Sequence, residues 1–264
     1  MSKPKAVFNW SGGKDSALAL HKVLAAGEIK VASLLTSVSG QFNRVSMHGV
    51  RLELLEMQAA SVGIPLVKMF TPEMPDMETY EQQMHAVLGK LRKQGVTTSI
   101  FGDIFLEDLR RYRENQLARR NLNASFPLWK IPTDKLIKEF IDLGFKAVIV
   151  CVNEKYLDKS FAGRVIDEDF VRDLPPTVDL CGENGEFHSF VYDGPIFRQP
   201  IPFVKGEIVY RKYEPTKRDV KETRTRDRVN TILKQQTPAP FQYGFWYCDL
   251  IKTDSESQRG TPLG

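Results

Sequence analysis

Hydrophobic positions follow two rhythms along the first half of this chain. Short apolar runs alternate with longer stretches whose apolar residues recur every three or four positions. Residues 5–10 read as a buried strand, and Ala17-Leu18-Ala19-Leu20-His21-Lys22-Val23-Leu24 reads as a helix. Residues 31–37 form the second predicted strand, 51–61 a helix and 66–70 a third strand. A long amphipathic helix is predicted over 78–94, with Gly95 as its stop, followed by a fourth strand over 97–102 and a strongly charged helix over 108–122. This alternation predicts an α/β fold: a Rossmann-like parallel sheet with helices on both faces. In such sheets ligands gather at the carboxyl ends of the strands. The turns after Trp10, Thr36, Phe70 and Phe101 are therefore where chemistry is expected.

The rhythm breaks at Pro127-Leu128-Trp129 and Ile131-Pro132, because prolines punctuate elements. We place the domain junction there. Residues 1–126 are expected to bind a nucleotide, 127–252 to form a smaller α/β substrate-binding domain, and 253–264 to be a flexible tail. Within the second part, Thr133 is expected to cap a helix over 133–143 that Gly144 ends. A buried strand over 146–152 and a short helix over 167–172 follow. A strand beginning at Glu186, one over 206–213 and a late aromatic strand over 241–250 complete the pattern. Residues 217–236 are polar, charged and helix-permissive.

Composition narrows the function classes. In 264 residues, 42% are hydrophobic, enough for a sizeable core, and the formal net charge of +4 does not by itself imply a nucleic-acid partner, which is not expected. No apolar run approaches the ~20 residues of a membrane helix. Met1-Ser2-Lys3-Pro4 leads into a strand without a signal-peptide apolar region, and a cytoplasmic location is expected. Cys151, Cys181 and Cys248 form no C-x-x-C pair, which fits a reducing compartment and offers no zinc site.

Two stretches carry the candidate chemistry. In Trp10-Ser11-Gly12-Gly13-Lys14-Asp15-Ser16 the glycines sit where a strand hands over to a helix. Without side chains there, backbone N–H groups can turn toward an anion, and the helix N-terminus adds partial positive charge. The plainer reading is a Gly-Gly turn with a Ser or Asp cap. The second stretch is Cys181-Gly182-Glu183-Asn184-Gly185-Glu186-Phe187-His188-Ser189-Phe190-Val191. Glu186, His188 and Phe190 are expected to share one strand face. With Glu183 they supply two carboxylates and an imidazole, able to bind an amine or a metal or to move a proton. A hairpin loop with a half-exposed strand is the alternative. Three single residues complete the set. His48 is a nucleotide or substrate contact, or else a surface histidine or helix cap. Gly102-Asp103 closes the fourth strand, with Asp103 facing the cleft or capping the next helix. Arg110 is the arginine expected to turn inward from the charged helix.

The order Ser-Gly-Gly-Lys-Asp-Ser is not that of a Walker P-loop. It resembles the pyrophosphate loop of PP-loop enzymes, the adenine nucleotide α-hydrolase-like (HUP-type) group, which split ATP between its α and β phosphates. The resemblance implies that the backbone of Ser11, Gly12, Gly13, Lys14, Asp15 and Ser16 holds the β and γ phosphates. Lys14 would add positive charge, Asp15 a ligand for Mg²⁺, and Ser11 and Ser16 hydroxyl hydrogen bonds. Leu35 and Thr36 would meet the adenine. Gly102 and Asp103, by their place at the end of the fourth strand, are expected to border the nucleotide.

Further stretches narrow this to one branch. They are Met47-His48, Gly63-Ile64-Pro65-Leu66, Pro127-Leu128-Trp129, Gly144-Phe145-Lys146, Gly163-Arg164 with Asp167, Gly182-Glu183-Asn184-Gly185-Glu186-Phe187, and Asp193 with Pro195. Together with the loop they resemble the diphthine–ammonia ligase family. That family amidates the carboxylate of diphthine, a modified histidine on elongation factor 2, using ammonia and converting ATP to AMP and pyrophosphate. The resemblance implies ATP and Mg²⁺ as cofactors. It implies a small-molecule or protein-borne carboxylate plus ammonia as substrates, with Lys14 and Asp15 acting on the triphosphate. Ammonium must lose a proton before it attacks, and Glu183, Glu186 and His188 are the catalytic candidates for that step, with Asp103 behind them. A homodimer is one arrangement it leaves open. Where the family tends to read Ser-x-Tyr-Gln-Arg-x-Arg, this chain has Phe105-Leu106-Glu107-Asp108-Leu109-Arg110-Arg111-Tyr112, and Arg110 is what matches. The Asp179-x-Cys181 to His188 variant looks like the family's bacterial subgroup, which points to an acceptor other than diphthine. Two further readings stay open here: sulfur transfer to tRNA, as in other PP-loop enzymes, and a nucleotide-binding regulator without turnover.

Overall fold

The structure is a computed structural model that describes residues 3–45, 49–72, 77–212 and 244–253. His48, residues 217–236 and 254–264 of the expected tail lie outside the described residues.

The first strand, β1 (Lys5–Asn9), has Ala6, Val7 and Phe8 fully buried, because helices cover both faces of a central parallel strand. Helix α1 (Lys14–Ala26) follows after a four-residue turn and ends at Gly27 in the left-handed conformation. The order continues with β2 (Lys30–Ser39), β3 (Arg44–Val45), α2 (Leu52–Val62), β4 (Leu66–Thr71), α3 (Met77–Lys93), β5 (Val96–Ile100), α4 (Glu107–Ala118) and β6 (Asn123–Ser125). The sheet runs β3-β2-β1-β5-β6, with β4 also paired to β2. Every pairing in it is parallel except that of β3. The periodicity marks these elements apart from β3 and β6, which are too short to show a period.

The second half supplies α5 (Thr133–Asp142), β7 (Lys146–Asn153), a 3₁₀ turn over Lys159–Phe161, α6 (Glu168–Asp173), β8 (Phe187–Asp193), β9 (Phe203–Lys212) and β10 (Gly244–Lys252). Its sheet runs β8-β7-β10-β9 and is antiparallel throughout. Two expectations need correction. The residue before α5 is Pro132, which offers no side-chain cap; Thr133 is the first helical residue, and its hydroxyl donates to Asp179 instead. Glu186 precedes β8 rather than opening it, so it does not share a strand face with His188.

One hydrophobic cluster spans both halves. It joins Phe8, Trp10 and Leu20 of the first to Phe140, Ile149, Phe187 and Phe190 of the second. A second cluster, with Val7, Leu88, Phe101 and Leu117, fills the other face of the first sheet under α3 and α4. Polar ties reinforce the junction. Ser61 Oγ donates to the Gln199 carbonyl at 2.6 Å and accepts from the Gln199 N–H at 3.1 Å. Arg44 and Arg51 both donate to Asp249 on β10, at 2.8 and 2.7 Å. Partial burial pushes the Asp249 carboxyl up, but hydrogen bonds from Arg51 and Arg44 outweigh it and hold the pKa at about 2. The two sheets are thus locked together around whatever lies between them.

Candidate active site

The turn from β1 into α1 is built to expose backbone. Gly12 has φ +78°, a conformation that side-chain-bearing residues rarely adopt, and a Cβ there would lie 2.7 Å from Gln58 Oε1. Gly13 stands at the N-cap of α1 in extended conformation and provides no side-chain cap. Gly102, at the end of β5, lets the loop backbone approach closely: a Cβ on it would sit 3.1 Å from Asp15 and Ser16 backbone atoms. The serines organise the turn from within. Ser11 Oγ accepts from the Gly13 N–H at 3.3 Å, and Ser16 Oγ donates to the Gly13 carbonyl at 2.8 Å.

Lys14 is buried, unusually for a lysine. Its Nζ lies 2.8 Å from Asp15 Oδ2, donates to the Cys181 carbonyl, and sits 5.3 Å from the Phe187 ring centroid. Burial works against its charge, but the attraction of Asp15, the Cys181 thiol and Glu183 prevails and raises its pKa. The Lys14 backbone N–H donates to Ser189 Oγ at 3.1 Å, stitching the loop to β8.

The opposing wall is the stretch from Cys181 to Ser189. Glu183 Oε1 accepts from the Ile104 N–H at 2.8 Å, which fixes the carboxylate against the end of β5. Burial raises its pKa to about 7; the Ile104 hydrogen bond and Lys14 pull the other way, while Asp15 and Asp103 add to the rise. Glu186 points elsewhere. It is 1% exposed, does not line the cleft, and accepts from the Asp179 N–H, the Asn184 N–H and the Asn184 side-chain amide at 3.1, 2.9 and 3.0 Å. Its carboxylate shapes the loop that presents Glu183.

On the β5 side, Asp103 is paired side-on with Arg113. Arg113 Nε lies 2.8 Å from Oδ2, and Nη2 donates to Oδ1 at 3.2 Å. The guanidinium is stacked on Phe101, 4.3 Å from its centroid. Burial pushes the Asp103 carboxyl up against the pull of Arg113. The inward arginine is therefore Arg113. Arg110 turns away to Glu114 at 2.7 Å and over Trp129 at 4.6 Å.

On the β2 side, the Leu35 carbonyl accepts from the Trp10 N–H at 2.8 Å, and Thr36 Oγ1 is buried without a hydrogen-bond partner. An orphaned buried hydroxyl in the lining of a cleft marks a place for a ligand polar atom.

These features line one cleft of about 670 Å³, within the range of small-molecule sites. It brings together Ser11, Gly13, Lys14, Asp15, Ser16, Leu35, Thr36, Gly102, Asp103, Glu183 and His188. Gly12 and Glu186 stand behind the lining. Among the described residues, Lys14 and Arg113 are the two Lys or Arg side chains that line it. Sequence reasoning missed Arg113, Ser189 and Gln58. For Gln58 a signal existed: it is a polar residue on the buried stripe of α2 that Leu54, Leu55 and Ala59 define.

The donor set fits ATP and Mg²⁺. Glycines, a helix N-terminus and a lysine suit phosphates, and Mg²⁺ usually takes one or two carboxylates plus substrate phosphates, for which Asp15, paired here with Lys14, is the carboxylate on the loop. The cysteines fit thiol chemistry poorly. All three are free and buried, and burial pushes the Cys151 thiol up to about 12 and the Cys181 thiol up as well. No helix among the described residues is long and apolar enough to cross a membrane.

Two family models match the chain, one in each half. Residues 4–121 match the family model for the diphthamide synthase N-terminal domain, and residues 132–221 that for the diphthamide synthase C-terminal domain. The chain is similar to the diphthine–ammonia ligase of Homo sapiens, 25% identical over an alignment of 221 residues that covers 75% of this chain and 82% of the relative. It is also similar to those of Bos taurus (26%, 75% and 82%) and Danio rerio (27%, 75% and 86%). With both domain models matched in order along most of its length, this chain belongs to the diphthamide synthase family.

Proposed function

We propose that this protein is an ATP-dependent ligase that forms an amide from a carboxylate and ammonia, with diphthine as the reference acceptor. The observation that carries the reading is a glycine-built anion loop facing a carboxylate of near-neutral pKa, Glu183, across a single cleft. ATP supplies the activation: a carboxylate is a poor electrophile, and adenylation gives it a good leaving group.

The chain's own groups have separable tasks in this reading. Residues 1–126 hold the nucleotide, with the loop N–H groups and Lys14 offsetting phosphate charge and the Thr36 side reserved for the adenine. Asp15 holds Mg²⁺. Residues 127–252 contribute the wall that meets acceptor and ammonia. Glu183 takes a proton from ammonium, since its pKa of about 7 leaves an appreciable share of both forms near neutrality. His188, also in the lining, is the second proton-moving group of the site, while Glu186 positions the loop. Arg113, preoriented by Asp103 and Phe101, attracts the acceptor carboxylate into a cleft otherwise rich in acids.

Incubation with Mg-ATP, ¹⁵N-ammonium and diphthine-bearing elongation factor 2, in parallel with small carboxylic acids, tests this. Formation of AMP, pyrophosphate and a ¹⁵N-amide is expected. ADP and orthophosphate would refute the bond cleavage proposed.

A further inference from the structure

We infer that Gln58 is a positioning residue that sets the phosphate loop for a triphosphate by fastening it to the second sheet. The inference rests on the nucleotide reading of the loop. Gln58 lies in α2 and is fully buried. Its amide makes three hydrogen bonds in three directions. Oε1 accepts from Trp10 Nε1 at 2.9 Å. Nε2 donates to the Gly12 carbonyl at 3.0 Å and to the Val191 carbonyl of β8 at 2.6 Å. Two carbonyls on one side and an N–H on the other fix the amide's orientation.

These partners bracket the turn. Trp10 is the residue before the loop, and Gly12 is the residue whose left-handed backbone directs the following N–H groups. The Gly12 carbonyl also accepts from the Val191 N–H at 2.9 Å. The loop therefore does not hold its shape alone: β8 and Gln58 grip it from behind, opposite the cleft. Asn is a methylene too short to span the same partners, and Glu keeps the acceptor but loses both donors. Leu leaves Trp10 Nε1 and the Val191 carbonyl unpaired in a dry site, which a fold relieves by moving the loop.

The consequence is selective. The loop addresses the β and γ phosphates, which AMP lacks, whereas the adenosine end lies on the β2 side. In the full-length chain, calorimetric titration with Mg-ATP and with AMP separates the two. Gln58→Leu and the equal-sized Gln58→Glu should each weaken Mg-ATP at least tenfold and leave AMP within about twofold of the parent. Equal loss of both nucleotides, or no loss of either, would overturn the inference. Loss of the fold in both variants, followed by thermal unfolding without ligand, would also overturn it, because Gln58 would then hold the domain rather than the phosphates. A parent chain that binds neither nucleotide defeats the nucleotide reading itself, a result distinct from these.

Discussion

Replacing Glu183 with Gln should raise stability and lower activity at once, and the rise should depend on pH. The carboxyl pKa is about 7 in the folded chain against an ordinary 4.5. The folded state therefore holds the proton more tightly than the unfolded state, and stability falls as pH rises through the window from 4.5 to about 7. Above that window the cost is present in full. A shift of this size corresponds to about 3 kcal/mol at roughly 1.4 kcal/mol per unit. Glu183 is partly exposed, so solvent screening reduces the expected cost to about 1–2 kcal/mol. Gln mimics the protonated acid and still accepts from the Ile104 N–H, so it removes the cost without orphaning that donor. In urea, the midpoint of the variant should exceed that of the parent by about 0.5 M at pH 8, taking a slope of about 3 kcal/mol/M, and by little at pH 5. Amide formation should fall about 100-fold at pH 8, within the usual worth of a positioned general base. An equal midpoint shift at both pH values, or a less stable variant at pH 8, would refute the account of Glu183 as a carboxyl strained by burial.

Four other outcomes are expected. Asp15→Asn should abolish the gain in ATP affinity that Mg²⁺ confers, measured by calorimetry with and without the metal. Gly12→Ala combines a positive φ with a 2.7 Å approach to Gln58 Oε1, and should cost about 3 kcal/mol, lower Tm by about 6–10 °C and lose ATP binding. Asp249→Asn should cost about 1 kcal/mol at pH 7, discounted for exposure; because the folded pKa is depressed to about 2, the difference persists above pH 3.8 and vanishes as pH falls through 2, which urea midpoints at several pH values will follow. Arg113→Gln should raise KM for the acceptor about tenfold and leave KM for ATP within twofold; the opposite split would assign Arg113 to the phosphates.

The parallel sheet was legible because each of its main elements is long enough to show a period. Residues 5–10 announce themselves as a buried run, residues 66–70 as a short strand, and the glycine loop sits in the register that a strand-to-helix turn requires. Where the reading went astray, local sequence lacked the deciding term. Helix α4 carries charge around most of its circumference, so nothing in its pattern distinguishes Arg110 from Arg113. What separates them is the Phe101 ring under one and the Trp129 ring under the other, both set by tertiary packing. Glu186 continues the alternation of His188 and Phe190 in sequence, but it stands one residue before the strand begins. Gly182 and Gly185, at φ +68° and +83°, curl the chain so that the carboxylate turns back onto its own loop.

The cleft as a whole was out of reach of any local pattern, since its walls come from chain segments far apart. The Lys14 N–H meets Ser189 across 175 positions, and Gln58 meets Val191 across 133. Such contacts exist only once the two sheets share a core, so the glycine loop takes its conformation from the docking of the two sheets rather than from its own sequence alone. The motif specifies a loop able to approach an anion. The second sheet determines the conformation in which that loop is held. A buried amide among the apolar residues of a core-facing helical stripe is the trace that this division leaves in the sequence, because burying it is tolerable only if all of its hydrogen-bonding groups are met elsewhere.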